Sequence, residues 1–453
     1  MISFQDLDLS NPLLNVIQEL ELLHPTSIQQ QAFPVVRSGQ DMVGIAQTGT
    51  GKTFAYLMPI LRDLKFSKQQ HPRVLILVPT RELVVQVVEE IEKLAKYITL
   101  RVVGVYGGVN LNRHKEAVAQ GTDVLVATPG RLYDLALSNV LKLKSIQKLV
   151  IDEVDVMLDL GFRFQLLNIF DLLPQRRQNI MFSATMTVDV EALIDEYFIA
   201  PKKIIIAVSG TPLDNIDQIA YNVPNFYTKI NLLNALLSDK SVFSKVLVFA
   251  PNKRNADKIF DAIEEEYPGQ VCVIHSNKTQ NYRLRSIEEF NKGNHRILIA
   301  TDVIARGLDL HEISHVINFN PTLYPENYMH RIGRTGRAQK KGNSILFATE
   351  NEQEAKRSIE ELMKFEIPLL AVPDTVLISK QLTEEERPKE DKLSSANRTS
   401  KEFVSEGEAF HEKKEKNKKI NLGGSYRREI AKKYKKPKTR GDKNFNKRKK
   451  KRK

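Results

Sequence analysis

The clearest chemistry in the sequence lies in the glycine-rich run at 43–53, Val-Gly-Ile-Ala-Gln-Thr-Gly-Thr-Gly-Lys-Thr. A short apolar strand at 42–45 precedes the turn, and a helical pattern begins at Lys52. Backbone N–H groups of such a turn, together with the positive end of the helix, can surround a polyphosphate. Lys52 can reach the β- and γ-phosphates, and the Thr53 hydroxyl can ligate Mg²⁺. The predicted nucleotide-binding residues of the run are Gly49, Thr50, Gly51, Lys52 and Thr53.

The elements around the run support this interpretation. The usual phosphate-loop pattern has a glycine where Ala46 stands, so the pattern alone does not match. The alternative is a chance turn rich in glycine and threonine. The strand, turn and helix follow one another in the order that a phosphate loop requires, which favours nucleotide binding without identifying the nucleotide.

Two more polar groups follow predicted strands. The strand at 148–151 ends in an acidic tetrapeptide, Asp-Glu-Val-Asp at 152–155. An aspartate there can hold Mg²⁺, and the next carboxylate can polarise an attacking water. Ser183 and Thr185 close the next strand, where their hydroxyls could bond to the acidic residues. The alternatives are a solvated acidic loop and an ordinary helix cap, but the nearby phosphate loop favours catalysis.

A cluster of arginines stands in the second half of the chain. Arg331, Arg334 and Arg337 recur every three residues in a segment too rich in glycine for a stable solvated helix. A charged surface face is the alternative, but this spacing suits an arginine-lined pocket. If two domains close on a nucleotide, these guanidinium groups could stabilise charge on its γ-phosphate from across the cleft.

The composition is that of a soluble globular protein, with 42% hydrophobic and 27% charged residues in a chain of 453. This length suggests two or three domains. The single cysteine, Cys272, excludes an intrachain disulfide framework. The first 36 residues contain no Lys or Arg, unlike secretory or mitochondrial signals. No apolar run approaches the roughly 18 residues of a membrane helix, so we expect a protein that is neither exported nor membrane-spanning.

Apolar strands alternate with amphipathic helices twice along the chain, which is typical of parallel sheets covered on both faces. The first series has strands at 42–45, 73–78, 102–106, 123–127, 148–151, 179–182 and 203–208, and helices at 52–65, 81–97, 163–172 and 187–197. The second has strands at 216–223, 245–250, 271–275, 296–300, 315–319 and 343–348, and helices at 226–238, 252–266, 279–292, 324–332 and 351–364. We expect two α/β domains, at 1–208 and 216–373, joined by a turn-rich linker at 209–215.

The composition changes after Pro373. Residues 374–410 are polar and mixed in charge, as in a linker. Residues 411–453 carry a net charge of +17 against −4 for the rest of the chain, so the basic excess belongs to the tail. We expect this tail to be disordered and to bind nucleic acid by neutralising phosphates. A solubilising tail or a nuclear address is the alternative.

The order of the motifs resembles that of the DEAD-box RNA helicases over about residues 4 to 370. Any one of these motifs could mislead, but ten in order leave little room for chance. They are Glu21 to Gln29, Ala46 to Thr53, Pro79-Thr-Arg-Glu-Leu83, Gly107-Gly108, Thr128-Pro-Gly-Arg131, Asp152 to Asp155, Ser183-Ala-Thr185, Ala300-Thr-Asp302, Arg306-Gly-Leu-Asp309 and His330 to Arg337.

The resemblance implies two RecA-like domains that close together on ATP and RNA. By this likeness Glu153 is the general base, Asp152 and Thr53 hold Mg²⁺, and Arg334 and Arg337 are arginine fingers. The implied coupling residues are Asp155, Ser183, Thr185 and His330. The remaining nucleotide contacts that it implies are Phe4, stacked on the base, Gln29, reading the adenine edge, and Gly307 and Asp309 from the second domain.

The resemblance also implies contacts to the RNA backbone, which position a strand without reading its sequence. Those on the first domain are Pro79, Thr80, Arg81, Gly108, Thr128, Gly130 and Arg131. Those on the second are Gln280, Arg283 and Thr301.

Three positions depart from the family pattern. Val154 stands where alanine is usual, and its extra methyl groups could strain the packing. Leu22 stands where an aromatic residue is usual beside the adenine. Ser276 stands where glycine is common.

The resulting hypothesis is an ATP-dependent RNA helicase that separates short duplexes locally. An RNA clamp with little strand separation is the alternative, and a DNA helicase is a third possibility. We expect a monomer, and the sequence identifies no protein partner. The start at Met1, with no long leading extension, favours a bacterial cytoplasmic enzyme, although the terminal basic block could be a nuclear address.

Overall fold

The computed structural model describes residues 2–46, 49–206, 215–302, 310, 312–336 and 341–387. The residues up to Arg387 form one compact unit, built from two α/β lobes. We call residues 2–206 the first lobe and residues 215–387 the second lobe. Gly307, Asp309, Arg337, most of the predicted linker at 209–215 and the predicted basic tail lie outside the described residues.

The first lobe has a seven-stranded parallel sheet in the order β3-β4-β2-β5-β6-β1-β7. Its strands are β1 Met42–Ile45, β2 Val74–Leu77, β3 Val102–Val105, β4 Val124–Ala127, β5 Lys148–Ile151, β6 Gln178–Ser183 and β7 Lys202–Ile205. Its helices are α1 Asn11–Glu19, α2 Ser27–Ser38, α3 Lys52–Asp63, α4 Arg81–Leu94, α5 Leu111–Ala119, α6 Pro129–Leu137, α7 Val154–Asp159, α8 Arg163–Leu172 and α9 Val188–Tyr197.

The second lobe repeats this architecture, in the strand order β10-β11-β9-β12-β13-β8-β14, again with parallel pairing. Its strands are β8 Ile216–Asn222, β9 Val246–Ala250, β10 Val271–Ile274, β11 Ile297–Thr301, β12 His315–Asn318, β13 Gly342–Ala348 and β14 Leu369–Leu370. Its described helices are α10 Phe226–Leu237, α11 Lys253–Glu266, α12 Gln280–Asn291, α13 Pro325–Ile332 and α14 Gln353–Met363.

Each sheet has an apolar core on both faces, because successive side chains of a strand point in opposite directions. Val74 and Ile76 of β2 pack into one cluster of the first lobe, whereas Leu75 and Leu77 pack into the other. All four are at most 1% exposed. This double burial explains why the strands are continuous apolar runs that do not alternate with polar residues.

The strand order brings the chemically important segments together. In the sheet of the first lobe, β5, β6 and β1 lie side by side in that order, and parallel strands end at the same edge of a sheet. The acidic tetrapeptide after β5, Ser183 at the end of β6 and the phosphate loop after β1 therefore meet at one edge. This is the edge at which open parallel sheets bind their ligands.

The predicted fold class of two tandem RecA-like sheets is confirmed for the described residues. Predicted strand ends agree with the structure to within one residue, apart from the strand expected at 203–208, which is described only as Lys202–Ile205. Helices α1, α2, α5, α6 and α7 and the two-residue strand β14 were not predicted. In α5 only His114 and Val118 are buried, so its sequence has no apolar stripe, and α6 begins at a Pro-Gly pair that favours a turn. No helix among the described residues is long and apolar enough to span a bilayer.

The second lobe extends beyond the predicted boundary at Pro373. Residues 374–387, which we call the strap, lie against α10, whereas the sequence predicts a linker there. Val376 is 6% exposed within an apolar cluster of this lobe. Glu386 accepts a hydrogen bond from the backbone N–H of Phe226, 2.7 Å away, and so caps the start of α10. Asn225 donates to the carbonyl of Ser379 at 2.5 Å.

The strap should therefore stabilise the second lobe. Truncation after Pro373 removes the buried Val376 and the Glu386 cap, which together should cost about 3 kcal/mol of unfolding free energy. Calorimetric unfolding of this variant should show a lower transition temperature. Truncation after Arg387 is the matched control and should leave that temperature unchanged. Equal transitions in the two variants would contradict this role.

Candidate nucleotide site and RNA cleft

The phosphate loop follows β1 and leads into α3. Gly49 and Gly51 adopt positive φ angles of 81° and 86°, which glycine tolerates without strain. Lys52 is only 7% exposed, and its Nζ donates to the carbonyl oxygen of Ala46 at 3.0 Å. Its ammonium group is thereby held back over the loop, and among the described residues it makes no second hydrogen bond, which leaves two of its donors for a ligand. This arrangement fits a lysine that binds phosphate.

Gln29 fixes the start of α2 to this loop. Its Oε1 accepts from the backbone N–H of Thr26 at 2.9 Å, and its Nε2 donates to the carbonyl of Gly51 at 3.2 Å. A Cβ on Gly51 would lie 2.5 Å from that Nε2, so this close approach requires glycine. Phe4 is 4% exposed and packs in the apolar core of the first lobe, so its stacking on a base stays a prediction.

The acidic residues after β5 are buried beside the loop. Asp152 accepts from the Tyr56 hydroxyl at 3.2 Å and from the backbone N–H of Glu153 at 2.9 Å. Burial raises the pKa of Asp152 to about 6, and the charge of Lys52 opposes that shift. Glu153 adopts a left-handed backbone, with φ of 51°, and its buried Oε2 has no hydrogen-bond partner within the described part of the chain.

These features fit a nucleotide bound with a divalent cation. Mg²⁺ usually takes one or two protein ligands and completes its shell with phosphate and water. The described residues contain no cluster of three or more His, Cys, Asp or Glu that could hold a metal without such help. Asp152 and Thr53 supply oxygen atoms of the type that Mg²⁺ prefers, and the unpartnered oxygen of Glu153 can accept a hydrogen bond from water.

Asp155 joins three segments of the chain. Its Oδ2 accepts from the backbone N–H of Ala184 at 3.1 Å and from both the N–H and the hydroxyl of Thr185 at 3.0 Å. His330 Nε2, on α13 of the second lobe, lies 3.4 Å from the same oxygen. Burial opposes ionisation of Asp155, but the hydrogen bond and charge of His330 hold its pKa well below the usual range. Ser183 donates to the carbonyl of Thr185 at 2.7 Å.

The described arginines after His330 have different surroundings. Arg331 donates to the two carboxylate oxygens of Asp302, one at 2.5 Å and one at 2.7 Å, and to the carbonyl of Asn320 at 2.9 Å. These bonds hold Arg331 within its own lobe, so the expectation that all three arginines face the γ-phosphate is wrong for Arg331. Arg334 is 4% exposed, and its Nε donates to the carbonyl of His330 at 3.2 Å.

A second site is a cleft of about 710 Å³ between the two lobes. Nine of the ten residues predicted to contact RNA line it; Thr301, at the end of β11, does not. The nine are Pro79, Thr80, Arg81, Gly108, Thr128, Gly130, Arg131, Gln280 and Arg283. The cleft residues without a predicted role are Glu82, Gly107, Asp134, Leu160, Phe162, Ser276, Lys278 and Thr279.

Glu82 connects the lobes at this cleft. Its Oε1 lies 3.1 Å from Arg283 Nη1 and accepts from Gln280 Nε2, also at 3.1 Å. Gln280 in turn accepts from Arg283. Glu82 is 6% exposed and stands at the start of α4, so one buried carboxylate of the first lobe pairs with two side chains of α12.

Sequence reasoning missed the roles of Glu82 and Tyr56. Glu82 belongs to a motif quoted for the family resemblance, and an acidic side chain among residues expected to bind phosphates was a usable signal. The sequence contains no such signal for Tyr56, because a tyrosine inside an amphipathic helix usually packs in the core. Of the three unusual positions, Val154 is fully buried in the apolar core, Ser276 lines the cleft and Leu22 is 40% exposed.

Gly108 lies against the Arg81 side chain at the cleft. Its φ is 83°, a backbone conformation that glycine adopts without strain. A Cβ at this position would lie 2.0 Å from Arg81 Nη1, so a larger residue would also displace the end of that side chain.

Comparisons with known proteins agree with this geometry. The family model for the DEAD/DEAH box helicase matches residues 26–193, and the model for the helicase conserved C-terminal domain matches residues 228–339. The chain is 35% identical over 374 residues to the DEAD-box ATP-dependent RNA helicase CshA of Bacillus cereus, covering 82% of this chain and 70% of the relative. It is 38% identical over 372 residues to RhpA of Helicobacter pylori, of which it covers 74%.

Solved structures of bound complexes share the fold. S. cerevisiae Dbp5 bound to RNA and ADP BeF3 matches with a TM-score of 0.74 at 27% identity, over 82% of this chain and 96% of that one. A deletion form of Mss116p bound to ssRNA and AMP-PNP matches with a TM-score of 0.75 at 27% identity, over 83% of this chain and 80% of that one. From the family models, the relatives and the two-lobed architecture, the chain belongs to the DEAD-box family of ATP-dependent RNA helicases.

Proposed function

We propose that this helicase hydrolyses ATP at the interface of its two lobes while the cleft holds one RNA strand, and that closure pries the strand from its partner. The observation that carries this proposal is the contact of Asp155 with His330, because it joins the acidic residues of the nucleotide site to α13 of the other lobe. A nucleotide-dependent change at β5 can therefore reach the lobe interface directly.

At the nucleotide site, Lys52 binds the β- and γ-phosphates and Gln29 recognises the adenine edge. Gly49, Thr50 and Gly51 supply backbone N–H groups to the phosphates, and Thr53 and Asp152 hold Mg²⁺. The cation, when bound, neutralises charge on the phosphates. Phe4, Gly307 and Asp309 complete the proposed nucleotide contacts.

In the hydrolytic step, Glu153 accepts a proton from a water molecule whose oxygen attacks the γ-phosphorus. The new bond to oxygen forms as the bond to the β,γ-bridging oxygen breaks, which yields ADP and phosphate. Arg334 and Arg337 stabilise the charge on the transferring group. Glu153 Oε2, which has no hydrogen-bond partner among the residues that the structure describes, supports this assignment, because a general base needs a free lone pair at the reacting water.

At the cleft, the RNA backbone contacts the nine lining residues that the family pattern names, together with Thr301 on β11. Backbone contacts make binding independent of sequence. Strand separation follows if the closed cleft can hold a single RNA strand but not a regular duplex. The clamp with little unwinding is less well supported, because the named relatives are helicases. Unwinding of a short labelled RNA duplex with ATP tests the choice directly.

Two further assignments are part of this proposal. The relatives CshA and RhpA are from bacteria, which supports a cytoplasmic bacterial enzyme. Residues 411–453 act as a basic tether for RNA, since their net charge of +17 can neutralise several phosphates.

Lys52 and Glu153 variants should fail at different steps. Lys52→Ala should weaken ATP binding, because it removes a phosphate ligand. Glu153→Gln should bind ATP but hydrolyse it roughly a hundredfold or more slowly, because it removes the proton acceptor. ATP affinity and RNA-stimulated turnover, measured separately, distinguish the two. Parental turnover in Glu153→Gln would show that the base is assigned wrongly.

Glu82→Gln should weaken closure, because it leaves the buried Arg283 without its carboxylate partner. Burial lowers the pKa of Arg283 and the Glu82 charge opposes this, so the unpaired cation is costly in the closed form. The RNA concentration for half-maximal ATPase should rise about tenfold or more. Glu90→Gln, on the same helix in an exposed pair with Lys93, is the control and should behave as the parent. An unchanged RNA requirement in Glu82→Gln would argue against the interlobe pair.

Removal of the basic tail should change binding but not chemistry. Truncation after Arg387 keeps the strap and should flatten the plot of log RNA affinity against log salt by about 0.7 for each lost phosphate contact. The ATPase rate at saturating RNA should stay nearly constant. A parental salt slope would rule the tether out, and a collapsed saturated rate would place the tail in the catalytic cycle.

A further inference from the structure

Arg131, one of the cleft residues proposed to hold RNA, is positioned from behind by α5 and the turn before it. Its Nη1 donates to the carbonyl of Val109 at 2.9 Å and lies 2.9 Å from His114 Nδ1. His114 is 7% exposed and is not among the residues that line the cleft. Its ring contacts Arg131 and does not itself line the cleft.

The bond between these side chains fixes the protonation state of His114. A guanidinium group has only donors, so the imidazole nitrogen facing it must carry a lone pair. With Nδ1 as the acceptor, the single ring proton of the neutral form lies on Nε2. A doubly protonated imidazolium has no acceptor and would place a second positive charge 2.9 Å from Arg131.

The surroundings of His114 favour the neutral ring. Tyr106, directly after β3, meets it edge-on with ring centroids 5.5 Å apart. Arg131 is the charged group that faces it from α6, and Arg113 and Lys115 flank it on its own helix. Among the described residues, no carboxylate bonds to His114; Asp134 lies 3.8 Å from Arg131 Nε and is largely exposed. Burial, then the charge of Arg131, lowers the pKa of His114.

We propose that His114 is a positioning residue for Arg131 and that its neutral imidazole makes the RNA affinity of this helicase dependent on pH. The inference rests on the proposed role of the cleft in RNA binding. Above the His114 pKa, the ring accepts from Arg131 and holds the guanidinium at the cleft wall. Below it, the imidazolium repels Arg131 and the held geometry is lost.

The direction of the pH dependence of RNA affinity follows from the lowered pKa of His114. A histidine with a lowered pKa stays neutral at neutral pH and becomes charged only in acid. RNA affinity should therefore be full near pH 8 and fall as the pH drops below the ordinary histidine range. Hydrogen bonds to charged groups are stronger than neutral ones, so the loss should be about fivefold to tenfold.

The test compares His114→Gln, His114→Leu and the parent as full-length proteins. Glutamine offers a neutral amide oxygen that can accept from Arg131 at any pH, whereas leucine offers none. Affinity for a labelled single-stranded oligouridine is measured by fluorescence anisotropy between pH 5.5 and 8, with a non-hydrolysable ATP analogue. Equilibrium binding is chosen because acid also affects turnover through Asp152. His71→Gln is the matched control, because His71 precedes β2 and so lies at the amino ends of the strands, away from the cleft.

The parent and His71→Gln should lose affinity in acid. His114→Gln should match the parent at pH 8 and lack the part of the acid loss that His114 causes. His114→Leu should bind about fivefold to tenfold more weakly at pH 8. If His114→Gln shows the same acid loss as the parent, or if His114→Leu binds as the parent does, the proposal is overturned.

Two other outcomes are also decisive. A parent that binds RNA with no acid loss would overturn the proposal while leaving the proposed function intact, whereas a parent that binds no RNA at any pH would overturn both. Thermal unfolding of His114→Leu separates weak binding from misfolding. If that variant fails to fold, the comparison of His114→Gln with the parent still decides the question.

Discussion

The architecture depends on the buried carboxylate of Asp155. Three hydrogen bonds from residues 184–185 hold one of its oxygens at the end of β6, and His330 approaches that oxygen from the second lobe. A carboxylate buried so deeply is stable only when donors surround it. Both lobes contribute to that shell, so the ionised form of Asp155 favours the arrangement in which they lie together.

Several charged side chains of both sites are buried, which is unusual for charged residues. Lys52, Asp152, Glu153 and Arg334 of the proposed nucleotide site and Glu82 and Arg283 at the cleft are all less than 9% exposed. Such groups rarely stabilise a fold more than apolar residues of similar volume would. Their concentration at the lobe interface is better explained by function, because low-dielectric surroundings strengthen their interactions with phosphates.

The sheets and the nucleotide site were largely predictable from the sequence, for a physical reason. Strands buried on both faces must be apolar throughout, and the glycine, lysine and threonine of a phosphate loop are required by local geometry. Contacts between distant segments were not predictable in this way. Glu82 and Gln280 are 198 positions apart, and neither residue type indicates its partner. The strap was missed because its residues are mostly polar, and it is held to the second lobe by the buried Val376, the Glu386 cap and hydrogen bonds between α10 and the backbone of Leu377 and Ser379.

The same limit applies to His114. Its position in a helix with little apolar periodicity suggests a solvent-exposed residue, and the bond to Arg131 becomes visible only when α5 and α6 are placed side by side. Among the side chains of α5, only that of His114 has an ordinary pKa near physiological pH. The residue type therefore suggested a pH-sensitive group, but its contact with Arg131 depends on the tertiary structure.

The outer strands of the two sheets have a consequence for self-association. An outer strand exposes unpaired backbone groups that can template pairing with another chain. At one end of the first sheet, β7 carries the exposed Lys202 and Lys203, whose charges repel an identical strand. At one end of the second sheet, β14 has only two residues. The edge strands β7 and β14 are thus poor templates for an intermolecular sheet. This should protect the protein from aggregating through these two strands, although its sheets are rich in apolar residues.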